Sequence, residues 1–307
     1  MICLPTKQEI AVGTMFEWTP PNGFANRLEM THTCVVALAM ADALVKDIKD
    51  SVTKYCLSCV QSDGGFNDAH FKQSEIEATF SAVRTLNLLG SIELLPDKEK
   101  TARWILSKQN SDGGFGAFPD WGESFRDDEV MLHKEVKSPL SVFKFREDSS
   151  AHSSFFAFGA LEPLGAVDQI DQKKLGRFLL DCQNKDGSWG YHPDDQNGNN
   201  ITTCFAMVLL SKLNMLDEID KEKVINWILE CQKNDGSFSP YPEFTGPSML
   251  QPLWTCRAAK ALRILNAFHR INEWRYEEYW NNFTIRTGWD AVCIGLAVGL
   301  PLVNRER

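Results

Sequence analysis

The chain alternates between two kinds of helical segment. Nearly continuous apolar segments lie at about 28–45, 75–89, 151–164, 201–213 and 250–265. Amphipathic segments, with their charges on one face, lie at 46–60, 97–108, 171–182 and 220–231. A helix that is apolar all round must be surrounded by protein, whereas an amphipathic helix faces water on one side. The pattern therefore predicts inner and outer helices that alternate along one chain.

Turn and capping residues mark the ends of these segments. Residues that readily adopt the left-handed conformation after a helix stand at Gly90, Gly165, Asn214 and Asn266. N-caps of the outer helices are predicted at Asp97, Asp171 and Asp220. The short connections make successive helices antiparallel. All the predicted segments are helical, so we predict an all-α fold. It is an α/α toroid of about five or six inner and outer pairs around a central cavity, with a late outer helix at 267–283 and a last inner helix at 289–300.

A short phrase recurs four times, each time after an amphipathic segment. It reads Gln-x-x-Asp-Gly-(Gly/Ser)-(Phe/Trp), with one residue fewer in the first copy, at 61–66, 109–115, 183–189 and 232–238. Asp-Gly and Gly-Gly supply the backbone geometry of a tight turn, so we interpret the phrase as structural and call each copy a clasp. We expect the Gln amide to bond to groups left open at the end of its own helix.

The spacing of the clasps sets the domain organisation. Their aromatic residues are 49, 74 and 49 residues apart, and such a period indicates a repetitive architecture. The longer middle interval indicates an insertion at about 118–148. We predict a single toroid domain over 28–307, after an irregular arm at 1–27 that contains several Pro and Gly residues.

Composition narrows the choice of partners and compartment. The net charge of −9 disfavours a nucleic-acid partner, which requires a basic surface. Most of the nine cysteines are scattered through helical segments, which predicts buried, reduced thiols in a cytoplasmic protein. The Cys56–Cys59 pair lacks the second pair of a metal site. The first residues lack a signal-peptide pattern, and the apolar stretch 291–303 is too short to span a bilayer. Peripheral membrane contact stays open.

The clasps, their 49-residue period and the stretch 78–90 resemble the repeats of the prenyltransferase and squalene-cyclase superfamily. This superfamily includes protein prenyltransferase β-subunits and triterpene or class II diterpene cyclases. The resemblance covers about residues 28–304. It implies an α/α toroid with an isoprenoid substrate in its central cavity, where the cavity residues set the reaction.

The resemblance implies two chemistries, which differ in the residues they need. Protein prenyltransferases of the superfamily hold zinc with Asp-x-Cys at the start of a late inner helix and a His on the last one. Here these positions read Gln251-Pro-Leu253 and Trp289-Asp290, so no metal site is expected. Class II cyclases protonate a double bond with an Asp-x-Asp-Asp motif, which this chain lacks. Its nearest analogue is Glu147-Asp148, before the third inner helix.

We predict a class II-like terpene cyclase that begins carbocation cyclisation with a carboxylic acid, Asp148 or Asp290. His152, four residues after Asp148, would tune that acid. In the structural alternative, Asp148 is an N-cap and His152 a satisfied polar residue. Positions at inner-helix starts and aromatic positions on inner helices predict the substrate-binding residues Glu75, Phe80, Phe155, Asn199, Trp254 and Trp289.

Two other functions remain open at this point. One is a transferase that resembles a protein prenyltransferase β-subunit without the usual zinc ligands, whose protein partner is unknown. The other is a toroid that binds an isoprenoid without catalysis. The sequence requires no cofactor, although a diphosphate substrate would leave a role for Mg²⁺.

Overall fold

The computed structural model describes residues 28–40, 42–67, 73–116, 147–246 and 250–283. The inner helices are α1 (Leu28–Met40), α3 (Ile76–Leu88), α5 (Ala151–Leu161), α7 (Asn200–Lys212) and α9 (Gln251–Ile264). The outer helices are α2 (Lys46–Ser58), α4 (Lys98–Leu106), α6 (Gln172–Asp181), α8 (Lys221–Glu230) and α10 (Glu273–Asn281). Short 3₁₀ turns precede α4, α6, α8 and α10 at Ile92–Leu94, Val167–Gln169, Leu216–Glu218 and Phe268–Arg270.

The inner helices pack side by side in chain order, from α1 through α3, α5 and α7 to α9. Each of the outer helices α2, α4, α6 and α8 packs on the inner helix that follows it. Helix α7 is buried on every side from Asn200 to Leu210, so protein surrounds this part of it. The predicted all-α toroid is confirmed, with five inner and outer pairs in the described ranges. The predicted arm, the last inner helix and most of the insertion lie outside those ranges.

The predicted helix ends are also confirmed. The carboxylates of Asp97, Asp171 and Asp220 each accept a hydrogen bond from a backbone N–H three residues on, at 2.7, 3.0 and 3.1 Å. Each bond satisfies one of the N–H groups that a helix start leaves open. Positive φ angles of 72°, 65°, 57° and 56° occur at Gly90, Gly165, Asn214 and Asn266.

The clasps attach to the inner helices through one repeated contact. The clasp aromatics Phe66, Phe115, Trp189 and Phe238 are fully buried. The backbone N–H of each donates to a hydroxyl in the first turn of the next inner helix, at 3.0–3.1 Å: Thr79, Ser154, Thr203 and Thr255. This bond satisfies a buried donor and fixes each turn to the helix start.

The clasps also reach the next outer helix along the chain. Gly113 has φ +95°, and a Cβ there would lie 2.3 Å from the carbonyl carbon of Lys174 in α6. The Gln109 amide donates to the Asp171 carbonyl at 3.2 Å and accepts from the Asp171 N–H at 3.0 Å. Gln61 bonds near its own helix end as expected, to Cys59 O at 2.8 Å, but for Gln109 the expectation was wrong. The Gln109 side chain bonds instead to the backbone of Asp171, the residue that precedes α6.

In two of the clasps a serine hydroxyl donates to the clasp Asp, but the serine comes from a different place in each. It follows the clasp in one case and belongs to the clasp in the other. In the second clasp, Ser149 Oγ donates to Asp112 Oδ1 at 2.8 Å, and Gly114 leaves room for that serine. A Cβ on Gly114 would lie 2.6 Å from Ser149 Cβ. In the third clasp, Ser188 supplies the hydroxyl to its own Asp, and Gly198 stands opposite. Glycine and serine thus exchange places between repeats while the bond stays.

The described cysteines lie in the core, as predicted: Cys34, Cys56, Cys59, Cys182, Cys204, Cys231 and Cys256. Burial, with Cys59 nearby, raises the pKa of Cys56 to about 12, so this thiol stays protonated. None of the helices in the described ranges is long and apolar enough to cross a membrane.

Candidate functional site

One face of the inner helices is left uncovered by the outer helices. Its partly exposed residues recur at intervals of three or four: Glu77, Phe80 and Arg84 on α3, His152, Phe155, Gly159 and Glu162 on and just after α5, and Leu253, Arg257, Lys260 and Ile264 on α9. Such spacing marks a single stripe along a helix. We call these stripes the inner wall, together with His32 of α1 and the buried ring of Phe205 on α7.

Aromatic rings run across the inner wall from helix to helix. Ring centroids are 5.6 Å apart for His32 and Phe80, 6.2 Å for Phe80 and Phe155, and 4.0 Å for Phe155 and Phe205. The last pair is stacked, with 9° between the planes. Phe156 adds a fifth ring, 4.9 Å from Phe80. This aromatic band offers apolar surface to a hydrocarbon chain and π faces to a cation.

One histidine, His32, belongs to the band, and a second, His152, lies beside it. His152 lies 4.7 Å from Phe156 and 5.6 Å from Phe205, measured between ring centroids. His32 places Nδ1 3.1 Å from the Thr85 hydroxyl. Burial lowers the pKa of His32 to about 3, and the positive charge of Arg84 acts in the same direction. His32 is therefore neutral at physiological pH, and it adds no charge to the band.

The C-terminal half of the inner wall is basic. Arg84 lies 3.6 Å from the Glu162 carboxylate, and Lys212 forms an ion pair with the same group. The Arg257 guanidinium lies over the Phe205 ring, 5.0 Å from its centroid. Lys260 follows one turn later on α9. An anionic group on a ligand would be attracted to this half of the wall.

The predicted acid Asp148 lies away from a dry aromatic setting. It lines an open, polar cleft between the second clasp and the segment after the third, together with Asp112, Glu147 and His192. Its predicted alternative role as an N-cap was wrong, because the cap directly precedes the first helical residue. That position is Ser150, whose hydroxyl accepts from the Ser153 N–H at 2.9 Å.

Some of the predicted substrate-binding residues lie on the inner wall, and others lie at a helix cap or in the core. Phe80 and Phe155 belong to the aromatic band. Asn199 caps α7, and its Oδ1 accepts from the N–H groups of Ile201 and Thr202 at 3.0 and 3.1 Å. Trp254 has no exposed surface and packs in the main core, and its ligand contact stays a prediction.

Of the three remaining predicted residues, the structure describes only Glu75. Glu75 is buried directly before α3, with 5% of its surface exposed. Asp290 and Trp289 lie outside the described residues, so their roles stay predictions. Among the residues that the structure does describe, it brings together Phe80, Phe155 and His152.

The position at which the resemblance implies a zinc ligand carries a structural amide instead. Gln251 Nε2 donates to Ser237 Oγ at 2.8 Å and to the Phe238 carbonyl at 2.9 Å, and so secures the fourth clasp. A neutral amide held in this way does not fit the thiolate and imidazole set that zinc prefers. Within the described ranges, no group of three His, Cys, Asp or Glu side chains could hold a metal ion.

The prenyltransferase alpha-alpha toroid domain model matches residues 12–128 and 130–282 of the chain. The chain belongs to this family. It is 25% identical over 190 residues to the geranylgeranyl transferase type-1 subunit beta of Arabidopsis thaliana, covering 57% of this chain and 44% of that protein. It is 23% identical over 168 residues to the type-2 subunit beta of Saccharomyces cerevisiae, covering 54% and 44%. The chain thus spans less than half the length of these curated relatives.

Solved structures share the fold at low sequence identity. Candida albicans protein geranylgeranyltransferase-I, complexed with GGPP, superposes with a TM-score of 0.71 at 13% identity, covering 95% of this chain and 91% of that one. The type II terpene cyclase MstE from Scytonema gives 0.56 at 12% identity, covering 97% and 100%. The toroid is therefore common to transferases and cyclases.

Sequence reasoning missed the cations of the inner wall. Arg257 and Lys260 stand in an inner helix that is otherwise largely apolar, where buried charge is unexpected. Their spacing with Leu253 and Ile264 is the signal that could have placed them on one face.

Proposed function

We propose that this protein binds a linear isoprenoid chain against the aromatic band and acts on it as an enzyme. The observation that carries the proposal is the row of rings from His32 through Phe80 and Phe155 to Phe205. A hydrocarbon chain laid on this surface loses contact with water, which stabilises the complex by about 25 cal/mol per Å² of apolar surface buried. Membership of the toroid family supports the same ligand class.

The reaction that we place first is acid-initiated cyclisation. A protonated carboxyl group gives its proton to a terminal double bond, the resulting cation closes a ring, and loss of a proton ends the sequence. The rings of the band would stabilise the cation through their π faces. Such an acid needs a water-poor site, which disfavours Asp148 in its open cleft. Of the two predicted acids we therefore favour Asp290.

Prenyl transfer is the second candidate, and two observations favour it. The curated relatives reported above are transferase β-subunits, and the TM-score with a geranylgeranyltransferase exceeds that with the terpene cyclase. A protein acceptor and a partner subunit would then be required. Because Gln251 stands where a zinc ligand would, we derive no metal-dependent step for this chain.

One set of incubations tests both candidates. Purified protein is incubated with geranylgeranyl diphosphate, farnesyl diphosphate or squalene, and the extracts are analysed by gas chromatography and mass spectrometry. Cyclisation predicts a cyclic product that Asp290→Asn abolishes and Asp148→Asn retains. A product unaffected by both substitutions would remove the assigned acids.

A parallel reaction contains a peptide with a C-terminal cysteine motif, with and without added zinc. Prenylated peptide without any cyclic product would decide for transfer. If ligands bind and are recovered unchanged in every reaction, the protein is a binding toroid and the enzymatic proposal fails.

A further inference from the structure

The Lys260 amine lies on the inner wall without a carboxylate partner in the described ranges. Its side chain is partly exposed on the stripe of α9 that the outer helices leave uncovered, three residues after Arg257. By contrast, Arg84 and Lys212 both contact the Glu162 carboxylate. A largely desolvated ammonium group costs free energy unless an opposite charge compensates for it. Lys260 therefore differs from the paired cations of the same wall.

The ionisable groups that act on the charge of Lys260 are neutral or positive. They are Arg257 and Cys256 on its own helix and Cys204 and Lys212 on α7. The Cys256 thiol donates to the Leu253 carbonyl at 3.2 Å, and burial raises the pKa of Cys204, so both thiols are protonated. None of these groups offers Lys260 a negative charge.

Such surroundings favour the neutral amine. Burial lowers the pKa of Lys260, and the positive charges of Arg257 and Lys212 act in the same direction. A lysine that is desolvated beside other cations keeps an unshared electron pair at a lower pH than an exposed lysine does. Lysines of this kind attack carbonyl carbons. Lys260 thus combines access from the wall with the environment of a nucleophile.

Lys260 also lies near one end of the aromatic band. Phe205 is the last ring of the band, and the Arg257 guanidinium lies 5.0 Å from its centroid. Lys260 follows Arg257 by three residues, about 4.5 Å along the helix axis. A hydrocarbon chain that lies on Phe155 and Phe205 would therefore bring its terminal group towards the Lys260 amine.

We propose that Lys260 forms a reversible imine with the aldehyde of an isoprenoid chain that lies on the aromatic band. This inference rests on the proposed function for the placement of the hydrocarbon chain. Lys260 Nζ attacks the aldehyde carbon and a C–N bond forms. The carbonyl oxygen then leaves as water, together with the two protons of the amine. Arg257 keeps its charge throughout and stabilises the oxygen while it is negative.

The imine that forms is neutral in these surroundings. The positive charges that disfavour the ammonium form of Lys260 also disfavour a protonated imine. Because water attacks the protonated imine much faster than the neutral one, the bound aldehyde is released slowly. Borohydride reduces a neutral imine, so it is the reagent that traps this adduct.

The test locates the adduct by mass spectrometry. The full chain is mixed with geranylgeranial at pH 7, reduced with sodium borohydride and digested. Reduction fixes the adduct as an amine, which adds the mass of the aldehyde less one oxygen atom. We expect Lys260 to be labelled at least about tenfold faster than exposed lysines, and excess geranylgeraniol to slow this labelling.

Two variants show whether the amine itself is required. Lys260→Arg keeps the positive charge but has no primary amine, so the adduct at position 260 should be lost. Lys46→Arg is the matched control, because Lys46 is an exposed lysine that pairs with Asp50. It should leave labelling of Lys260 unchanged. Labelling of Lys260 no faster than that of exposed lysines in the wild type would overturn the proposal, whether or not the variants fold.

The pH dependence of labelling adds a readout that a purely structural lysine would not change. Labelling of Lys260 should reach half of its maximal rate at a lower pH than labelling of exposed lysines. Arg257→Gln removes one positive neighbour, so it should move the Lys260 profile to higher pH. A wild-type profile that coincides with that of the exposed lysines would also overturn the proposal.

The choice of probes separates this inference from the proposed function. Saturable binding of geranylgeraniol without any adduct on Lys260 overturns the imine and leaves the proposed function intact. Butanal is the short-chain comparison. If butanal labels Lys260 as fast as geranylgeranial does, the reactive amine is upheld and the isoprenoid chain of the proposed function is overturned.

Discussion

The clasps and the inner wall use the same inner helices, but the clasp contact repeats from helix to helix whereas the wall residues differ. At the clasp, four inner helices present a hydroxyl to the same backbone N–H: Thr79, Ser154, Thr203 and Thr255. One or two residues further on, the same helices carry Phe80, Phe155, Phe205 and Arg257 on the wall. The contact that repeats holds the ring together. The residues that differ from repeat to repeat are those available for a site.

The largest expected effect concerns a clasp aromatic. Trp189 is fully buried and donates from its indole nitrogen to the Leu179 carbonyl at 2.7 Å. Trp189→Ala should lower the free energy of unfolding by about 3–5 kcal/mol, measured by urea denaturation. Trp274→Ala is the matched control, because Trp274 is 70% exposed and should change stability by less than about 0.5 kcal/mol. Equal losses in the two variants would show that the buried clasp aromatic stabilises the fold no more than an exposed tryptophan does.

The second effect concerns His32 on the wall and depends on pH. Its pKa falls from 6.5 to about 3 on folding. Between these pH values His32 is protonated in the unfolded chain and neutral in the folded chain. Stability is therefore lost as pH falls below about 6.5, by up to about 1.4 kcal/mol per pH unit, and levels off near pH 3. His32→Gln should flatten this dependence in urea titrations between pH 7 and 4. An unchanged slope would show that His32 titrates normally.

A smaller loss is expected when a clasp N–H loses its acceptor. Ser154→Ala leaves the buried N–H of Phe115 without the hydroxyl that now lies 3.0 Å away. The expected cost is about 1–3 kcal/mol in the free energy of unfolding. Ser58→Ala, at an exposed helix end, is the control and should be nearly neutral. If both changes cost the same, the repeated bond contributes nothing specific.

The smallest effect is the coupling between the two sides of a clasp. Gly114→Ser alone crowds Ser149 and Phe178 and should cost about 1–3 kcal/mol. Adding Ser149→Gly recreates the arrangement of Ser188 and Gly198 and should recover part of that loss. A double-mutant cycle on unfolding free energies should give a coupling of about 1 kcal/mol. Strict additivity would contradict the exchange of glycine and serine between repeats.

Local signals in the sequence predicted the fold well. Capping by Asp97 and the left-handed turn at Gly90 depend on residue types within a few positions, and both were read correctly. The reach of Gln109 to Asp171 was missed because its partner lies 62 residues away. The structural alternative for Asp148, a cap of α5, lies two residues before the observed cap Ser150, because serines and carboxylates adjoin there.

The candidate site was harder to predict than the fold. The apolar pattern marked the inner helices but not which side of each helix faces the wall. Trp254 and Phe155 both lie on inner helices, yet one is buried in the core and the other joins the aromatic band. That difference depends on the angle at which neighbouring helices pack, and helical spacing shows it only after the bounds are known.

The claim that the inner wall binds an isoprenoid chain is tested most directly by equilibrium binding of geranylgeranyl diphosphate to the wild type and to Phe155→Ala. Phe155 is partly exposed and stacks on Phe205, so the substitution removes ligand-contacting surface from the middle of the band. We predict saturable binding to the wild type, weakened at least about tenfold in Phe155→Ala while the variant stays folded. Equal affinity in both proteins, or no binding to either, would contradict the account.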